Sequence, residues 1–197
     1  FVSGDYGWDN VRGDDGNDTV IGGRSSDLVA GGEGDDVVFG GIIEGVPLSL
    51  DEMVALRDGG SLADINGGID LRDDSLGNTV TGGGDDDDLI IGSGDLAGGG
   101  EGLDTFHIMS EQNGDTEATI ANFNANDDAI TVIVEDTDVE ADITVADENG
   151  DSVIRMGDTV LARVTGAAGT IDASDITLIS ESTIAQMLDP NAAAAYR

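Results

Sequence analysis

Aspartate recurs every nine residues near the start of the chain, at Asp9, Asp18, Asp27 and Asp36. A carboxylate is a hard oxygen ligand, and turns that also present carbonyl oxygens can complete a shell of about six to eight oxygens around a cation the size of Ca²⁺. Mg²⁺ suits such a shell less well because it keeps several of its waters. The residue type and its spacing therefore predict several calcium sites.

The four aspartates are the sixth residues of four consecutive nonapeptides. These read GDYGWDNVR, GDDGNDTVI, GGRSSDLVA and GGEGDDVVF, and they span residues 4–39. They follow the pattern G-G-x-G-x-D-x-U-x, in which U is a large apolar residue. The first six positions predict a tight turn, where glycine permits positive φ, and the last three predict a short strand whose eighth residue points inward. Two nonapeptides complete one coil of a parallel β-roll, so we expect Asp9 to stack on Asp27 and Asp18 on Asp36.

A second, less regular block covers residues 78–107. We read it as GGDDDDLII from Gly83, a shortened GSGDLAG, and GGEGLDTFH from Gly99, preceded by the degraded copy GNTVTG. In this register Asp88 and Asp104 are the sixth residues, and Asn78 stands in the aspartate place. The complete set of predicted metal ligands is Asp9, Asp18, Asp27, Asp36, Asp88, Asp104, Asn78, Asp87, Asn17 and Asp35.

An insertion of different composition separates the two blocks, from about residue 42 to 76. Ser49 and Glu52 form a capping box ahead of an apolar run, and Gly59 stands where a helix would end. We expect one short helix that covers apolar side chains of the roll. Docking of a partner on this helix is the alternative.

After about residue 107 the glycine repeats give way to ordinary strand patterns. The segments are ATIANF, DAITVIVE, ADITVAD, SVIRM, TVLARV and DITLIS. Asn149-Gly150 and Gly157-Asp158 are hairpin turn signals. The predicted fold class is all-β: a parallel β-roll with a short helical insertion and an antiparallel β C-terminal cap. We expect the roll over residues 1–107, the cap over 108–182, and a short helix with a tail over 183–197, the helix running from Thr183 to Leu188.

The charge balance is strongly acidic, with 42 Asp and Glu against 7 basic residues and a formal net charge of -35. Such a surface repels nucleic acid and anionic lipid and attracts cations. Two carboxylates about 4 Å apart repel by roughly 4 kcal/mol at an effective dielectric constant of about 20. We therefore expect the chain to fold only when calcium is bound. It has no cysteine and no apolar run long enough for a membrane span.

The segments GDDGNDTVI, GGEGDDVVF and GGEGLDTF resemble the repeats of the RTX, or haemolysin-type, calcium-binding family. ATIANFNANDDAITV is similar to the segment that follows the last repeat in many members. The resemblance implies export from a Gram-negative bacterium by the type I secretion machinery, guided by an uncleaved C-terminal signal. It also implies folding in extracellular calcium, with the protein secreted or held at the cell surface.

Nothing in the sequence predicts catalysis by the chain itself. His107 is its one histidine, and the G-x-S-x-G signature of a hydrolase nucleophile is missing. Carboxylate pairs suited to glycoside hydrolysis occur, but within the repeat turns, where calcium ligation explains them better. We expect a calcium-binding structural, surface or matrix protein, with self-assembly into a homo-oligomer or filament left open. The alternative is the C-terminal calcium-binding and secretion module of a larger protease or lipase.

Overall fold

The computed structural model describes residues 1–43, 54, 70–111, 116–135 and 141–188. The strands are β1 (Val2–Ser3), β2 (Asn10–Asp15), β3 (Thr19–Ile21), β4 (Leu28–Glu33), β5 (Val37–Phe39), β6 (Ile42–Ile43), β7 (Leu71–Arg72), β8 (Thr79–Gly84), β9 (Asp88–Ile91), β10 (Leu96–Glu101), β11 (Thr105–Met109), β12 (Ala118–Ala121), β13 (Ala129–Val134), β14 (Ile143–Glu148), β15 (Asp151–Met156), β16 (Thr159–Val164) and β17 (Ile176–Ser180). A 3₁₀ turn (Ala173–Asp175) precedes β17, and helix α1 (Glu181–Met187) follows it.

The described strands form two large sheets between which the chain alternates. One sheet has the order β1-β3-β5-β9-β11-β13-β17 and is parallel throughout. The other has the order β2-β4-β8-β10-β12-β16-β15-β14 and is parallel as far as β16. The prediction of an all-β fold built on a parallel roll is confirmed.

The core lies between the sheets and is built from the eighth residues of the repeats. Because side chains alternate across a strand, one residue in each short strand points inward. In register along one sheet these are Val11, Val29, Val80, Ala97 and Ile120, and along the other Val20, Val38, Leu89, Phe106 and Ile130. All ten are buried, so each coil of the roll adds one apolar layer.

The insertion leaves the roll without interrupting its stacking. Its two ends are joined by the antiparallel pair β6–β7, while β4 pairs directly with β8 so that Leu28 lies opposite Thr79. The predicted helix with its capping box at Ser49 and Glu52 lies outside the described residues, except that Val54 is helical and exposed.

Antiparallel pairing occurs at the C-terminal end, but it is confined to β14, β15 and β16. The turn between β14 and β15 has positive φ at Asn149 and Gly150, as its sequence predicts. Strands β12, β13 and β17 instead continue the parallel ladders beyond residue 107. Alternating hydrophobicity is the same for both pairing directions, so the sequence pattern did not distinguish them. The division into a roll over residues 1–107 and a cap over residues 108–182 stays a prediction.

The C-terminal helix α1 spans Glu181–Met187, whereas the sequence predicted a helix from Thr183 to Leu188. It packs on the outer face of the sheet that contains β17. There Ile184 and Leu188 join a second apolar cluster with residues from the strands and from the ends of the insertion. The other buried members of this cluster are Ile21, Phe39, Ile43, Leu71, Ile90, Met109 and Ile133. No helix in the described part of the chain is both long enough and apolar enough to cross a membrane.

Candidate metal centre

Two columns of side chains follow the two edges of the roll, where the turns stack. The first column consists of Asp9, Asp27, Asn78 and Asp95, and the second column of Asp18, Asp36, Asp87, Asp104 and Asp128. In both columns the backbone N–H of each residue donates a hydrogen bond to the Oδ1 atom of the next. The N–Oδ1 distance is 2.8 Å from Asp9 to Asp27 and 2.8 Å from Asp18 to Asp36. The predicted stacking of these two pairs is confirmed.

The second carboxylate oxygens of several column residues have no partner. The Oδ2 atoms of Asp9, Asp27, Asp36 and Asp87 are buried and accept no hydrogen bond. A buried polar atom left unsatisfied costs about 1–3 kcal/mol, and more if it is charged. These atoms therefore point to a ligand that supplies positive charge.

The donor chemistry fits a hard cation that binds backbone as well as carboxylate oxygens. No group of three or more His, Cys, Asp or Glu side chains is placed to hold a metal among the described residues. Because fewer than three such side chains converge, carbonyl oxygens of the glycine turns have to complete any shell. That mixture of donors suits Ca²⁺ and is unsuited to Zn²⁺, which prefers nitrogen and sulfur.

Residues 3–41 match the family model of the RTX calcium-binding nonapeptide repeat, in four copies. The chain carries RTX calcium-binding repeats. RTX nonapeptide repeats bind Ca²⁺ at several sites, so calcium is the ligand of this array. No curated protein matches the chain. The extracellular lipase LipA from Serratia marcescens is a structural neighbour with 16% identity and a TM-score of 0.33. The match covers 87% of this chain but spans only 38% of the lipase chain.

In the second repeat block, the repeat with four consecutive aspartates lies one residue out of the predicted register, whereas Asp104 is the sixth residue as predicted. Asp87 accepts from the backbone of Asp36 and donates to Asp104, so Asp87 is the sixth residue of its repeat. Asp88 begins β9, and its Oδ1 lies 2.9 Å from the Nε2 atom of His107. Four consecutive aspartates hide the register in the sequence, and only pairing with the neighbouring strands resolves it.

Asn17 and Asp35 lie one position before the column residues and are not brought into the column. They form an exposed outer ladder, in which the Nδ2 atom of Asn17 donates to Asp35 at 3.2 Å. Asp86 continues this ladder through its backbone N–H, 3.4 Å from Asp35.

Two column residues, Asp95 and Asp128, were missed in the sequence. Asp95 belongs to the shortened repeat, whose turn has lost two residues, and Asp128 follows the last recognisable repeat. An aspartate followed two residues later by an apolar residue, as in Asp95-Leu96-Ala97 and Asp128-Ala129-Ile130, is the signal that could have found both.

Burial raises the pKa values of five column carboxylates. Desolvation is the largest cause for Asp27, Asp36 and Asp104, with added repulsion from neighbouring carboxylates. For Asp87 and Asp95 burial raises the pKa to about 7. Ionisation of these groups therefore carries a free-energy cost in the folded protein. A bound cation would offset that cost where a carboxylate oxygen has no hydrogen-bond donor, as in Asp27, Asp36 and Asp87.

The first glycine of a repeat makes room for the column carboxylate. A Cβ atom at Gly31 or Gly82 would lie 2.2 Å from the Oδ2 atom of Asp36 or Asp87, and one at Gly99 would lie 1.9 Å from that of Asp104. Any side chain at these positions would displace a carboxylate that belongs to the column.

Proposed function

We propose that this chain is an extracellular structural or surface module that is held folded by calcium. The ions lie between successive turns, with ligands from the two columns. The residues that would supply carboxylate oxygens are Asp9 and Asp27 in the first column and Asp18, Asp36, Asp87 and Asp104 in the second. The observation that carries the proposal is the row of buried carboxylate oxygens without hydrogen-bond partners. When bound, calcium supplies the positive charge that these oxygens require.

A binding role, and not catalysis by this chain, is also proposed. His107 is only 2% exposed. Its Nδ1 atom lies 2.6 Å from the Oγ1 atom of Thr131, and its Nε2 atom is paired with Asp88. Both ring nitrogens therefore have partners on the neighbouring strands of the sheet. The sequence of the full gene would test whether a catalytic domain accompanies this module.

Export is the second part of the proposal. Proteins with RTX repeats are typically secreted by Gram-negative bacteria, and the repeats in residues 3–41 support the same route for this chain. A domain that needs millimolar calcium stays unfolded inside the cell and folds outside. We propose that the type I machinery exports the chain and that it functions outside the cell or at its surface.

Self-association through the N-terminal end of the roll is a further part of the proposal. Strands β1 and β2 lie at the edges of their sheets there. The nearby side chains of Tyr6 and Trp8 are 67% and 73% exposed. An edge strand offers unpaired backbone groups to another chain, and exposed aromatic side chains are frequent in protein interfaces.

A calcium titration followed by circular dichroism tests the central proposal. We expect low β-content in chelator and a cooperative gain in β-content when Ca²⁺ is added. At a concentration tenfold above its dissociation constant, each site adds about 1.4 kcal/mol to the free energy of unfolding. A fully folded spectrum in chelator would contradict the proposal.

The double variant Asp18→Ala, Asp36→Ala tests which residues hold the metal. We expect it to retain fewer Ca²⁺ ions in equilibrium dialysis. The control is Asp142→Ala, Asp158→Ala, which removes the same charge from exposed positions just before β14 and in the turn between β15 and β16. Equal retention by both double variants would show that the column is not the site.

A further inference from the structure

The first column changes character where the chain returns from the insertion. Asn78 and Asp95 are stacked there, and each is 2% exposed. The backbone N–H of Asn78 donates to the Oδ1 atom of Asp95 at 2.7 Å, as elsewhere in the columns. The Nδ2 atom of Asn78 donates to the same oxygen at 3.0 Å. Asp95 thus receives a side-chain donor that no aspartate could provide.

The remaining oxygen of Asp95 is also occupied. Its Oδ2 atom accepts a hydrogen bond from the backbone N–H of Gly92 at 2.8 Å. The equivalent atoms of Asp27 and Asp87 are buried without a partner. Hydrogen bonds therefore satisfy both carboxylate oxygens of Asp95 without a cation, whereas Asp27 and Asp87 each keep one unsatisfied oxygen.

The amide of Asn78 cannot replace the missing carboxylate. Its Oδ1 atom already accepts the backbone N–H of Asp27 at 2.8 Å. That bond determines the orientation of the amide, because only the oxygen can accept. The group left in the position of the second carboxylate oxygen is NH₂, which is a donor and repels a cation.

The turn that carries Asp95 is also poorer in carbonyl oxygens. Gly92, Ser93 and Gly94 precede Asp95, whereas five residues precede the aspartate in a full repeat. The carboxylate of Asp73 fills the adjoining space, since a Cβ atom on Gly92 would lie 2.5 Å from its Cγ atom. Asp73 accepts hydrogen bonds from the backbone of Ser93 at 2.9 Å and Ser75 at 3.1 Å. Its two oxygens are thus satisfied by backbone donors.

We infer that the Asn78–Asp95 turn pair is closed by hydrogen bonds and holds no calcium. Calcium in the first column is then confined to the turns of Asp9 and Asp27, while the second column binds it across both repeat blocks. This inference rests on the proposed function. If the inference holds, the stacking of the Asn78 and Asp95 turns does not require calcium. These turns lie where the chain rejoins the roll after the insertion.

Matched substitutions in the two columns test the inference. Asp87→Asn and Asp95→Asn change equivalent residues that are equally buried, at 2% exposure each. At saturating Ca²⁺, equilibrium dialysis should show that Asp87→Asn retains at least one ion fewer per chain than the unmodified protein. Asp95→Asn should retain the full number. Loss of an ion in Asp95→Asn would overturn the inference, whereas an unmodified chain that binds no Ca²⁺ would overturn the proposed function instead.

Crystals of the unmodified chain grown with Ca²⁺ and soaked in Tb³⁺ give a second measurement that does not depend on the folding of a variant. Anomalous difference peaks are expected along the second column and between the turns of Asp9 and Asp27. No peak is expected between the turns of Asn78 and Asp95. A peak there would refute the inference, even if every other site were filled.

Discussion

At the scale of single residues, the two oxygens of a column aspartate have different tasks. Oδ1 accepts the backbone N–H of the preceding coil and holds the turns in register, as between Asp36 and Asp87. Oδ2 is left for the metal in the proposed sites. One carboxylate therefore links two turns and one ion, so its replacement should cost both stacking and calcium affinity.

Two neighbouring glycines give a matched test of this arrangement. Gly99→Ala would place a Cβ atom 1.9 Å from the Oδ2 atom of Asp104, whereas at Gly98 the nearest atom is Ala121 O at 3.8 Å. We expect Gly99→Ala to lower the free energy of unfolding in calcium by about 1–3 kcal/mol and to weaken calcium binding. Gly98→Ala should be neutral or slightly stabilising. Urea denaturation at fixed Ca²⁺ measures both, and equal effects would contradict the packing argument.

The raised pKa values predict how the calcium-free fold depends on pH. An aspartate in the unfolded chain has a pKa of about 3.9. In the folded chain, burial raises the pKa values of Asp87 and Asp95 to about 7. The folded state therefore binds protons more tightly than the unfolded chain. The stability that protonation of these two groups contributes is fully present below about pH 4 and is lost as the pH rises towards 7. In chelator, we expect β-content by circular dichroism to increase between pH 8 and pH 5.

Protons should also compete with calcium over the same range, so the calcium concentration at half-folding should rise as the pH falls. The variant Asp87→Asn is the control for the chelator experiment, because it removes one of the two groups and should flatten the pH dependence. β-content that is independent of pH would show that these carboxylates do not limit folding.

At the scale of elements, the two sheets differ in the polarity of the residues at the ninth position of each repeat, which face outward. In the sheet of β3, β5 and β9 these are Ile21, Phe39 and Ile90, which are buried on the outer face. In the other sheet they include Arg12 and Gly98. An apolar outer face needs a cover, and α1 with the ends of the insertion supplies it in the described part of the chain. The molecule therefore has three layers in this region: the two sheets, and the layer formed by α1 and the ends of the insertion.

Truncation of the helix side chain that enters this face should reveal its contribution. Ile184 is fully buried, so Ile184→Ala should lower the free energy of unfolding by about 2–5 kcal/mol at saturating Ca²⁺. Thr183→Ala, at an exposed neighbouring position, should change it by about 0.5 kcal/mol or less. Guanidinium denaturation at constant Ca²⁺ compares them. Similar midpoints for both variants would mean that α1 is dispensable.

At the scale of the whole molecule, a net charge of -35 opposes compaction. Only 7 basic residues offset the acids. Arg163, near Glu117, Glu148 and Asp151, is placed where three carboxylates converge on the outer surface. A divalent cation bound between column carboxylates would offset part of the remaining negative charge.

Self-association through the N-terminal end should follow calcium-induced folding, because the edge strands exist only in the folded roll. We expect the hydrodynamic radius by dynamic light scattering to increase after calcium is added. Tyr6→Ser with Trp8→Ser should reduce this growth without changing the circular dichroism spectrum. Leu103→Ser, which alters another exposed turn residue (57%), is the control. A radius that stays monomeric at every Ca²⁺ concentration would exclude the proposed assembly.

The sequence by itself determined the repeat, the roll and the first sites. A nonapeptide encodes its turn and strand locally, through glycines that permit the turn and an apolar residue that must be buried. Stacking of identical units then follows, which is why Asp9, Asp18, Asp27 and Asp36 could be assigned to two edges. The strands after residue 116 were also predictable, since their alternation is local.

Only the tertiary structure decided what depends on contacts between distant segments. Asp36 meets Asp87 across the insertion, 51 residues away, and that contact identifies Asp87 as the column residue where the run of aspartates could not. The same kind of contact brings Asp128 under Asp104 and extends the parallel ladders past the repeats. Register and pairing direction are properties of two strands together, and neither strand carries them alone.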